Sequence, residues 1–286
     1  MRILVTGAKG QLGTELMALL EPSHHEALGV DLDHGDHTLD ITDRAMVRGV
    51  VTSWRPDAII HGAAFTAVDV CESEPELAYT VNALATRHLA DAARDVGAHL
   101  TYVSTDYVFD GTKGTAYVEW DTPNPQSVYG RSKLGGEREL DTSATIARTS
   151  WVCSAHGSNI LKTVLRLAGE GQRLSFVDDQ FGHPTFASDL AAMLLRLTVE
   201  RRPGLFHVTN QGAVSWYEFV REILLAADLD PALVRAITTA ELDPPRPAPR
   251  PAYSVLDNFA LRASGLPLLP DFRETLPAVI AQLRAT

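Results

Sequence analysis

Cysteine is scarce in this chain, and uninterrupted apolar runs are short. The 286 residues include two cysteines, Cys71 and Cys153, which lie far apart and form no C-x-x-C pair. Their number and spacing indicate neither a disulfide framework nor a thiolate metal site. No stretch approaches the roughly 18 consecutive apolar residues of a membrane-spanning helix. We therefore expect a protein of the reducing cytoplasm that has no membrane partner.

Positive charge and targeting features are also lacking. The formal net charge is -11 and the pI is about 5.3, which disfavours nonspecific binding to nucleic acid or to an anionic membrane. The segment Met1–Gly7 enters an apolar, strand-like run without the basic and long apolar regions of a signal peptide. The ten histidines form no H-E-x-x-H motif, so the sequence predicts no metal centre.

Short apolar runs alternate with longer amphipathic segments in the first half of the chain, a pattern typical of βαβ units around a parallel sheet. The predicted strands are Arg2–Thr6, Ala27–Asp31, Ala58–Gly62, Ala98–Ser104 and Thr145–Thr149. The predicted helices are Gln11–Glu21, Asp43–Ser53, Glu76–Val96 and Ser127–Leu140. The sequence therefore predicts an α/β fold with a Rossmann-like, doubly wound parallel sheet.

The alternation becomes looser after Ser150. Strands are predicted at Leu174–Val177 and Leu205–Val208, and helices at Ser158–Ala168, Ser188–Glu200, Ser215–Ala227, Asp257–Ser264 and Asp271–Arg284. The segment Asp243–Pro251 holds five prolines in nine residues, so it is predicted to be a linker or an extended surface loop. We expect a smaller carboxyl-terminal substrate lobe here.

A glycine-rich turn directly follows the first predicted strand. Gly7, Gly10 and Gly13 are spaced as G-x-x-G-x-x-G, and Gln11 and Leu12 open the helix that follows. Glycines at such a turn allow backbone to approach a phosphate closely, and the helix amino terminus offers free N–H groups to a pyrophosphate. The position of the turn predicts dinucleotide binding. Residues 1–150 then form the dinucleotide-binding domain and 151–286 mainly the substrate lobe, with segments near 174–200 returning to the Rossmann core.

The second predicted strand ends at Asp31, about the interval at which an acidic residue accepts hydrogen bonds from an adenosine ribose. A carboxylate there repels the 2′-phosphate of NADP, which favours NADH over NADPH without excluding either. The alternative is a solvated loop carboxylate, because Asp33 and Asp36 crowd the same loop.

Tyr129 and Lys133 are four residues apart on one face of a predicted helix. A ketone that receives hydride needs a proton for its developing alkoxide, which a phenol can supply, and a nearby ammonium supports the phenolate. A hydroxyl at the end of the fourth strand adds a third group. We assign it to Thr105, which would orient the carbonyl, with Ser104 as the alternative because the phase of the strand is not fixed.

With these residues assembled, the chain resembles the extended short-chain dehydrogenase/reductase superfamily and, within it, the dTDP-4-dehydrorhamnose reductase family. Matching stretches cover most of the chain, and they are Val5–Gly13, Leu39–Asp43, Ala63–Asp69, Ser104–Gly111, Tyr129–Lys133, Arg148–Val152 and Asp179–Thr185. The resemblance implies reduction of the C4 ketone of a dTDP-linked 4-keto-6-deoxysugar by NADH or NADPH. It implies a catalytic set of Thr105, Tyr129 and Lys133.

The resemblance also implies the residues that line the site. Those expected to contact the cofactor are Asp40, Ile41, Ala63, Ala64 and Phe65, together with Tyr129 and Lys133, whose ammonium can also hold the ribose hydroxyls. Those expected to face the sugar are Thr66, Val68, Asp106, Tyr107 and Trp151. Trp151 has a physical reason as well, since an indole face packs against the apolar side of a pyranose, although a core tryptophan is the alternative.

Three features depart from the family pattern or add to it. Cys153 stands where relatives usually carry an aromatic residue, so we expect the sugar pocket to differ in shape. Some relatives pair through a divalent ion held by glutamates, and Glu15 matches one of these, so a magnesium-linked homodimer is an open alternative. Arg246 and Arg250 in the proline-rich loop are candidates to clamp the diphosphate, the alternative being ordinary surface arginines.

Two other functions remain open from the sequence. The first is an epimerase, or a reductase of another deoxysugar pathway such as that of streptose. The second is a non-catalytic regulatory subunit, since a related branch of the family binds a synthetase of a methyl-transfer cofactor. The presence of Tyr129, Lys133 and Thr105 argues against the second function, because a binding module needs no tuned phenol.

Overall fold

A computed structural model describes residues 1–33 and 36–285 of the chain. Its strands are β1 (Arg2–Thr6), β2 (Glu26–Asp31), β3 (His37–Thr38), β4 (Ala58–His61), β5 (His99–Thr105), β6 (Thr145–Thr149), β7 (Val152–Cys153), β8 (Leu174–Val177), β9 (Phe181–Gly182), β10 (Thr185–Phe186), β11 (Gly204–His207), β12 (Val214–Ser215) and β13 (Val234–Ile237). Within the described ranges, seven of these strands form a parallel sheet in the order β11-β6-β5-β4-β1-β2-β3.

Helices cover both faces of this sheet. They are α1 (Gln11–Leu20), α2 (Arg44–Trp54), α3 (Val68–Ser73), α4 (Pro75–Tyr79), α5 (Ala85–Val96), α6 (Val128–Arg138), α7 (Ile160–Gly169), α8 (Ala187–Val199), α9 (Trp216–Ala226), α10 (Phe259–Ala263) and α11 (Phe272–Ala285). A π-helical turn at Thr80–Leu84 joins α4 to α5, and 3-10 turns lie at Asp106–Val108, Pro231–Leu233 and Thr239–Glu241. None of the described helices combines the length and apolar character that a transmembrane span requires.

The α/β fold predicted from the sequence is confirmed. The bounds of each of the five strands predicted in the first half agree with those of an observed strand to within one residue. The central strand β4 is buried on both faces, as a strand covered by helices on either side must be. One helix prediction is wrong in part, because residues 76–96 are not one helix but α4, the π-helical turn and α5.

The carboxyl-terminal part of the chain contributes to two regions. Helix α8 and strand β11 belong with the central sheet, where Leu190, Leu194 and Phe206 share one apolar cluster. Strand β8 instead pairs with β13 in a separate two-stranded sheet. Leu174 and Val177 at its two ends are buried, whereas Ser175 is exposed. We retain the division near residue 150 as a proposal.

Helix α6 is anchored to the sheet by a buried ion pair. Glu137 on α6 accepts two hydrogen bonds from Arg148 on β6, at 2.9 and 2.7 Å, and one from Ser104 on β5 at 2.5 Å. Both charged side chains are almost completely buried. The pair fixes α6 against the carboxyl-terminal ends of β5 and β6.

Replacing Glu137 by Gln is expected to lower the free energy of unfolding by about 3–5 kcal/mol, because it leaves the Arg148 guanidinium buried without a counter-charge. Urea unfolding followed by circular dichroism measures the change. Glu139→Gln is the matched control, since Glu139 pairs with the exposed Arg87 and such a pair contributes about 0–1 kcal/mol. Equal losses in the two variants would contradict the role given to the buried pair.

Candidate active site

A cavity of about 850 Å³ lies at the carboxyl-terminal edge of the central sheet. It is lined by the segments that follow β1, β2, β4, β5 and β6, together with α6 and the start of α9. Most of the residues predicted for the site line it, namely Gly7, Gly10, Gln11, Leu12, Gly13, Asp31, Asp40, Ile41, Ala63, Ala64, Thr66, Val68, Thr105, Asp106, Tyr107, Tyr129, Lys133 and Trp151. The sequence-predicted residues therefore meet in one place.

Phe65 and Cys153 do not line this cavity. The Phe65 ring packs against an apolar cluster that includes Cys71 and Val128. Cys153 is completely buried in the core of the carboxyl-terminal region beside Leu161 and Phe186. Burial raises the pKa of the Cys153 thiol well above its ordinary value, so this side chain is an inert core residue.

The glycine-rich turn brings backbone to the cavity wall. Gly7 adopts a φ of +72°, and a Cβ at that position would stand 2.8 Å from the amide nitrogen of Ala63. A Cβ on Gly13 would stand 2.0 Å from the carbonyl oxygen of Gly7. Helix α1 begins at Gln11 with no acidic residue in its first turn, so its free N–H groups face the cavity without a competing carboxylate. The arrangement fits a pyrophosphate.

Asp31 lies in the part of the cavity next to this turn. Its carboxylate accepts hydrogen bonds from the backbone N–H groups of Lys9 at 2.9 Å and Leu32 at 2.8 Å, which fixes its orientation. Lys9 lines the same end of the cavity. A carboxylate favours a ribose hydroxyl and an ammonium favours a 2′-phosphate, so this end carries groups suited to either nicotinamide dinucleotide.

A buried hydroxyl in the cavity wall has no hydrogen-bond partner among the described residues. Thr149 lies at the end of β6 and lines the cavity, and its Oγ1 is buried without a hydrogen bond. A buried hydroxyl without a hydrogen bond costs free energy unless a ligand or a water molecule supplies the missing partner. Together with the glycine turn, this unpaired hydroxyl fits the presence of a bound dinucleotide. Thr149 falls within the matching stretch Arg148–Val152, but its role was not predicted from the sequence.

Asn82 holds two walls of the cavity together. It lies in the π-helical turn Thr80–Leu84, a feature frequent at functional sites. Its side chain exchanges hydrogen bonds with the backbone N–H and carbonyl of Phe65, at 2.8 and 3.1 Å, and donates to Ser132 on α6 at 2.9 Å. The loop that follows β4 is thereby fixed relative to the helix that carries Tyr129. No local pattern in the sequence indicates a role for this residue.

Lys133 is buried, and burial lowers its pKa to about 7, with the nearby Glu137 acting in the opposite direction. Its Nζ donates to the carbonyl of Val103 at 2.7 Å and lies 4.1 Å from the centre of the Tyr102 ring. In this arrangement the ammonium is held against strand β5. Its support of a Tyr129 phenolate stays a prediction.

Burial raises the pKa of the Tyr129 phenol well above its ordinary value, and a hydrogen bond with Thr105 lowers it in part. The ring of Tyr107 meets that of Tyr129 edge-on, with centroids 5.5 Å apart. The phenol is therefore protonated at neutral pH and able to donate. Of the two hydroxyls left open by the sequence, Thr105 lies beside the phenol, whereas Ser104 donates to Glu137.

Asp106 is a buried carboxyl in the cavity wall. It accepts hydrogen bonds from Thr105 at 3.0 Å and from Ser254 at 2.5 Å. Burial raises the pKa of Asp106 to about 6, although these hydrogen bonds oppose the shift. Ser254 comes from the segment after the proline-rich loop and was missed by sequence reasoning.

Trp151 stacks on Trp216, the first residue of α9, with ring centroids 3.8 Å apart and planes at 13°. Both indoles line the cavity. Trp151 adopts a φ of +45°, a conformation that a bulky residue rarely takes, and such strain is found at functional sites. The two rings form an aromatic wall between the central sheet and the carboxyl-terminal region. Trp216 was not predicted from the sequence.

Arg250 does not line the cavity in this structure. It forms a two-point ion pair with Asp69 on α3, and its Nη2 lies 2.8 Å from Oδ2. Arg246 lies 3.5 Å from the same carboxylate. The ion pair lowers the pKa of Asp69 to about 2 and fixes the proline-rich loop to α3. The two arginines share one carboxylate, which leaves a net positive charge.

Glu15 lies on α1 next to His156, with Oε1 and Nε2 3.4 Å apart. Among residues 1–33 and 36–285, no cluster of three His, Cys, Asp or Glu side chains is arranged to hold a metal ion. A magnesium-linked dimer stays a prediction.

Comparison with known proteins places the chain in a family. A family model described as the RmlD substrate binding domain matches residues 1–285. A dTDP-4-dehydrorhamnose reductase of Streptomyces griseus is 42% identical, over 96% of this chain and 91% of that protein. A dTDP-4-dehydrorhamnose reductase structure from Clostridium acetobutylicum has a TM-score of 0.93 and 40% identity and covers 99% of this chain and 100% of that chain.

A second structure carries a cofactor. The dTDP-4-dehydrorhamnose reductase of Bacillus anthracis, in complex with NADP, has a TM-score of 0.92 and 38% identity and covers 98% of this chain and 99% of that chain. The resemblance found in the sequence is thus confirmed over the full length. The chain belongs to the RmlD substrate-binding-domain family, within the extended short-chain dehydrogenase/reductase superfamily.

Proposed function

We propose that the protein is an NAD(P)H-dependent reductase that reduces the C4 ketone of dTDP-4-dehydrorhamnose or of a closely related dTDP-4-keto-6-deoxysugar. The observation that carries the proposal is that Thr105, Tyr129 and Lys133 line the same cavity as the glycine-rich turn. Membership of the RmlD family supports it, because the relatives that match over nearly their full length carry this activity in their names.

The chemistry divides between the cofactor and the chain. The bound nicotinamide supplies hydride for the ketone carbon. Tyr129 donates its proton to the ketone oxygen, and Thr105 orients that oxygen. Lys133 stabilises the phenolate that Tyr129 becomes, and it also binds a ribose hydroxyl of the cofactor. The burial of these groups excludes water and strengthens the electrostatic interactions among them.

The remaining lining residues bind the two ligands. For the cofactor we propose Gly7, Gly10, Gln11, Leu12, Gly13, Asp31, Asp40, Ile41, Ala63, Ala64, Tyr129 and Lys133, and also Phe65, which does not line the cavity in this structure. For the sugar we propose Thr66, Val68, Asp106, Tyr107 and Trp151. The Trp151 indole offers an apolar face to the pyranose.

Reduced nicotinamide and dTDP-4-keto-6-deoxyglucose, with an upstream epimerase to generate the ketosugar, test the proposal directly. We expect stoichiometric loss of the reduced nicotinamide absorbance with either NADH or NADPH. Compared with a control that holds the upstream epimerase alone, a second epimerase would convert the sugar further without net consumption of the cofactor. A regulatory subunit would do neither.

Arg250→Ala tests the predicted diphosphate clamp. We expect KM for the nucleotide-sugar to rise about tenfold with little change in kcat, because the clamp binds the ground state and the transition state alike. Arg246→Ala, which removes the more exposed arginine, serves as the comparison. An unchanged KM in Arg250→Ala would assign that residue only to the ion pair with Asp69.

Two properties stay predictions. The cytoplasmic location rests on the cysteine content of the sequence. The homodimer rests on the family resemblance, and light scattering of the purified protein with and without magnesium measures it.

A further inference from the structure

The Thr105 hydroxyl has a single proton, and in the structure it donates that proton to Oδ1 of Asp106. One of its lone pairs accepts from the backbone N–H of Tyr107 at 3.2 Å. A ketone oxygen can only accept hydrogen bonds. While Thr105 donates to Asp106, it therefore has no proton to offer to a substrate ketone. The orienting role proposed for Thr105 requires this hydrogen bond to reverse.

Asp106 can reverse the bond by taking up a proton. A neutral carboxyl has an O–H that donates, and with the proton on Oδ1 it would donate to Thr105. The Thr105 proton is then free for the ketone oxygen. Asp106 is only 1% exposed, and its burial favours the neutral form.

Ser254 determines which carboxyl oxygen carries the proton. Its hydroxyl donates to Oδ2 of Asp106 at 2.5 Å, whereas its other acceptor, the Phe181 carbonyl, is 3.4 Å away. Since Oδ2 is occupied as an acceptor, the proton of the neutral acid resides on Oδ1, which faces Thr105. Ser254 is itself held by a backbone hydrogen bond to Phe181 at 2.9 Å, so it is a fixed donor.

We propose that Ser254 is a positioning residue that acts through Asp106, and that Thr105 donates to the substrate ketone only when Asp106 is neutral. This inference rests on the proposed reductase function. It assigns a role to a residue that lies 148 positions from Asp106 and does not line the cavity.

Several other ionisable groups surround Asp106. The phenols of Tyr107 and Tyr129 have raised pKa values and stay neutral. Beyond Tyr107 lies a charged cluster of Asp69, Arg246 and Arg250. The Lys133 ammonium has a pKa lowered to about 7. Loss of the Lys133 proton gives a second decline in activity as pH rises. The test must therefore separate the contribution of Asp106 from that of Lys133.

The pH profile of kcat in three variants makes this separation. Activity that needs neutral Asp106 falls as pH rises through the Asp106 pKa. Ser254→Ala removes a hydrogen bond to the ionised form, so the pKa rises and the decline moves upward by about one pH unit or more. Ser254→Thr keeps the hydroxyl and is expected to retain the original midpoint. Asp106→Asn cannot ionise, so only the Lys133 decline remains.

A profile of Ser254→Ala that superimposes on the original would overturn the proposal. An Asp106→Asn variant whose kcat still declines at the lower of the two pH midpoints would also overturn the proposal. Infrared difference titration adds a readout that needs neither turnover nor a Ser254 variant. It should show a protonated carboxyl band that disappears around pH 6 and is absent in Asp106→Asn. If this carboxyl band is absent from the unaltered protein while the ketosugar is still reduced, the inference about Asp106 fails and the proposed reductase function stands. The failure of the inference is thus distinguishable from the failure of the proposed function.

Discussion

Tyr129→Phe is expected to lower kcat by at least about 100-fold, while the affinity for the nicotinamide cofactor changes by less than about twofold. The substitution removes the phenolic proton but keeps the ring that packs edge-on against Tyr107. Because the developing alkoxide then lacks its donor, the loss appears in the chemical step. Steady-state kinetics with saturating cofactor, together with fluorescence titration of the reduced nicotinamide, measure both quantities.

Tyr217→Phe is a matched control for this substitution. Tyr217 lies on α9, and its ring lies 5.8 Å from the Arg221 guanidinium, outside the residues that line the cavity. Removal of its hydroxyl should leave kcat unchanged. Normal turnover in Tyr129→Phe would remove the assigned proton donor, and a parallel loss of cofactor binding would indicate a structural effect instead.

Gly13→Ala is expected to weaken cofactor binding at least about tenfold and to lower the free energy of unfolding by about 1–3 kcal/mol. The added Cβ would stand 2.0 Å from the Gly7 carbonyl oxygen and 2.6 Å from Ala8 Cα. Both neighbours are backbone atoms, so the turn and the amino terminus of α1 must separate. Isothermal titration calorimetry and urea unfolding measure the two effects.

The chain offers an internal control for this prediction. Gly49 lies inside helix α2, and a Cβ there would meet no atom within 4 Å. Gly49→Ala should leave cofactor affinity unchanged and raise stability by up to about 1 kcal/mol, because alanine favours the helix. If Gly13→Ala binds the dinucleotide as tightly as Gly49→Ala does, the turn is not the pyrophosphate site.

The parts of the site that are local in sequence could be predicted. The glycine-rich turn is recognisable because strand, turn and helix follow one another within β1 and α1. Tyr129 and Lys133 are one helical turn apart, so their common face follows from helix geometry alone. Thr105 ends a strand, and the carboxyl-terminal edge of a parallel sheet is where ligands bind.

The parts that depend on distant contacts could not be predicted. Ser254 reaches Asp106 across 148 residues, and nothing in its own neighbourhood indicates this partner. The sequence predicts Trp216 only as a residue of an amphipathic helix, and its stacking on Trp151 becomes apparent in the structure. Long-range packing, rather than local pattern, gives these side chains their place.

The π-helical turn shows a different reason for failure. Residues 76–96 carry a helical pattern, and a regular period of 3.6 residues predicts one helix. The wider turn at Thr80–Leu84 breaks the phase and lets Asn82 bond to Phe65 and Ser132. The periodicity of apolar residues predicts the helix but not the irregular π-helical turn that fixes the cavity wall.

Segments near residues 174–200, which include strand β8 and helix α8, are predicted to return to the Rossmann core. The helix does pack with the central sheet, but the strand pairs with β13, which lies 60 residues further along. Pairing partners of a short strand are set by tertiary contacts, which composition and alternation do not reveal.

The central claim is that the bound ketosugar receives hydride at C4 in the cavity where Tyr129 donates the proton. Reduction with nicotinamide deuterated at its transferring position, followed by nuclear magnetic resonance of the product, tests it. The account predicts deuterium at C4 of the sugar and one oxidised nicotinamide for each product formed. An altered sugar that contains no deuterium, formed without net oxidation of the nicotinamide, would contradict it.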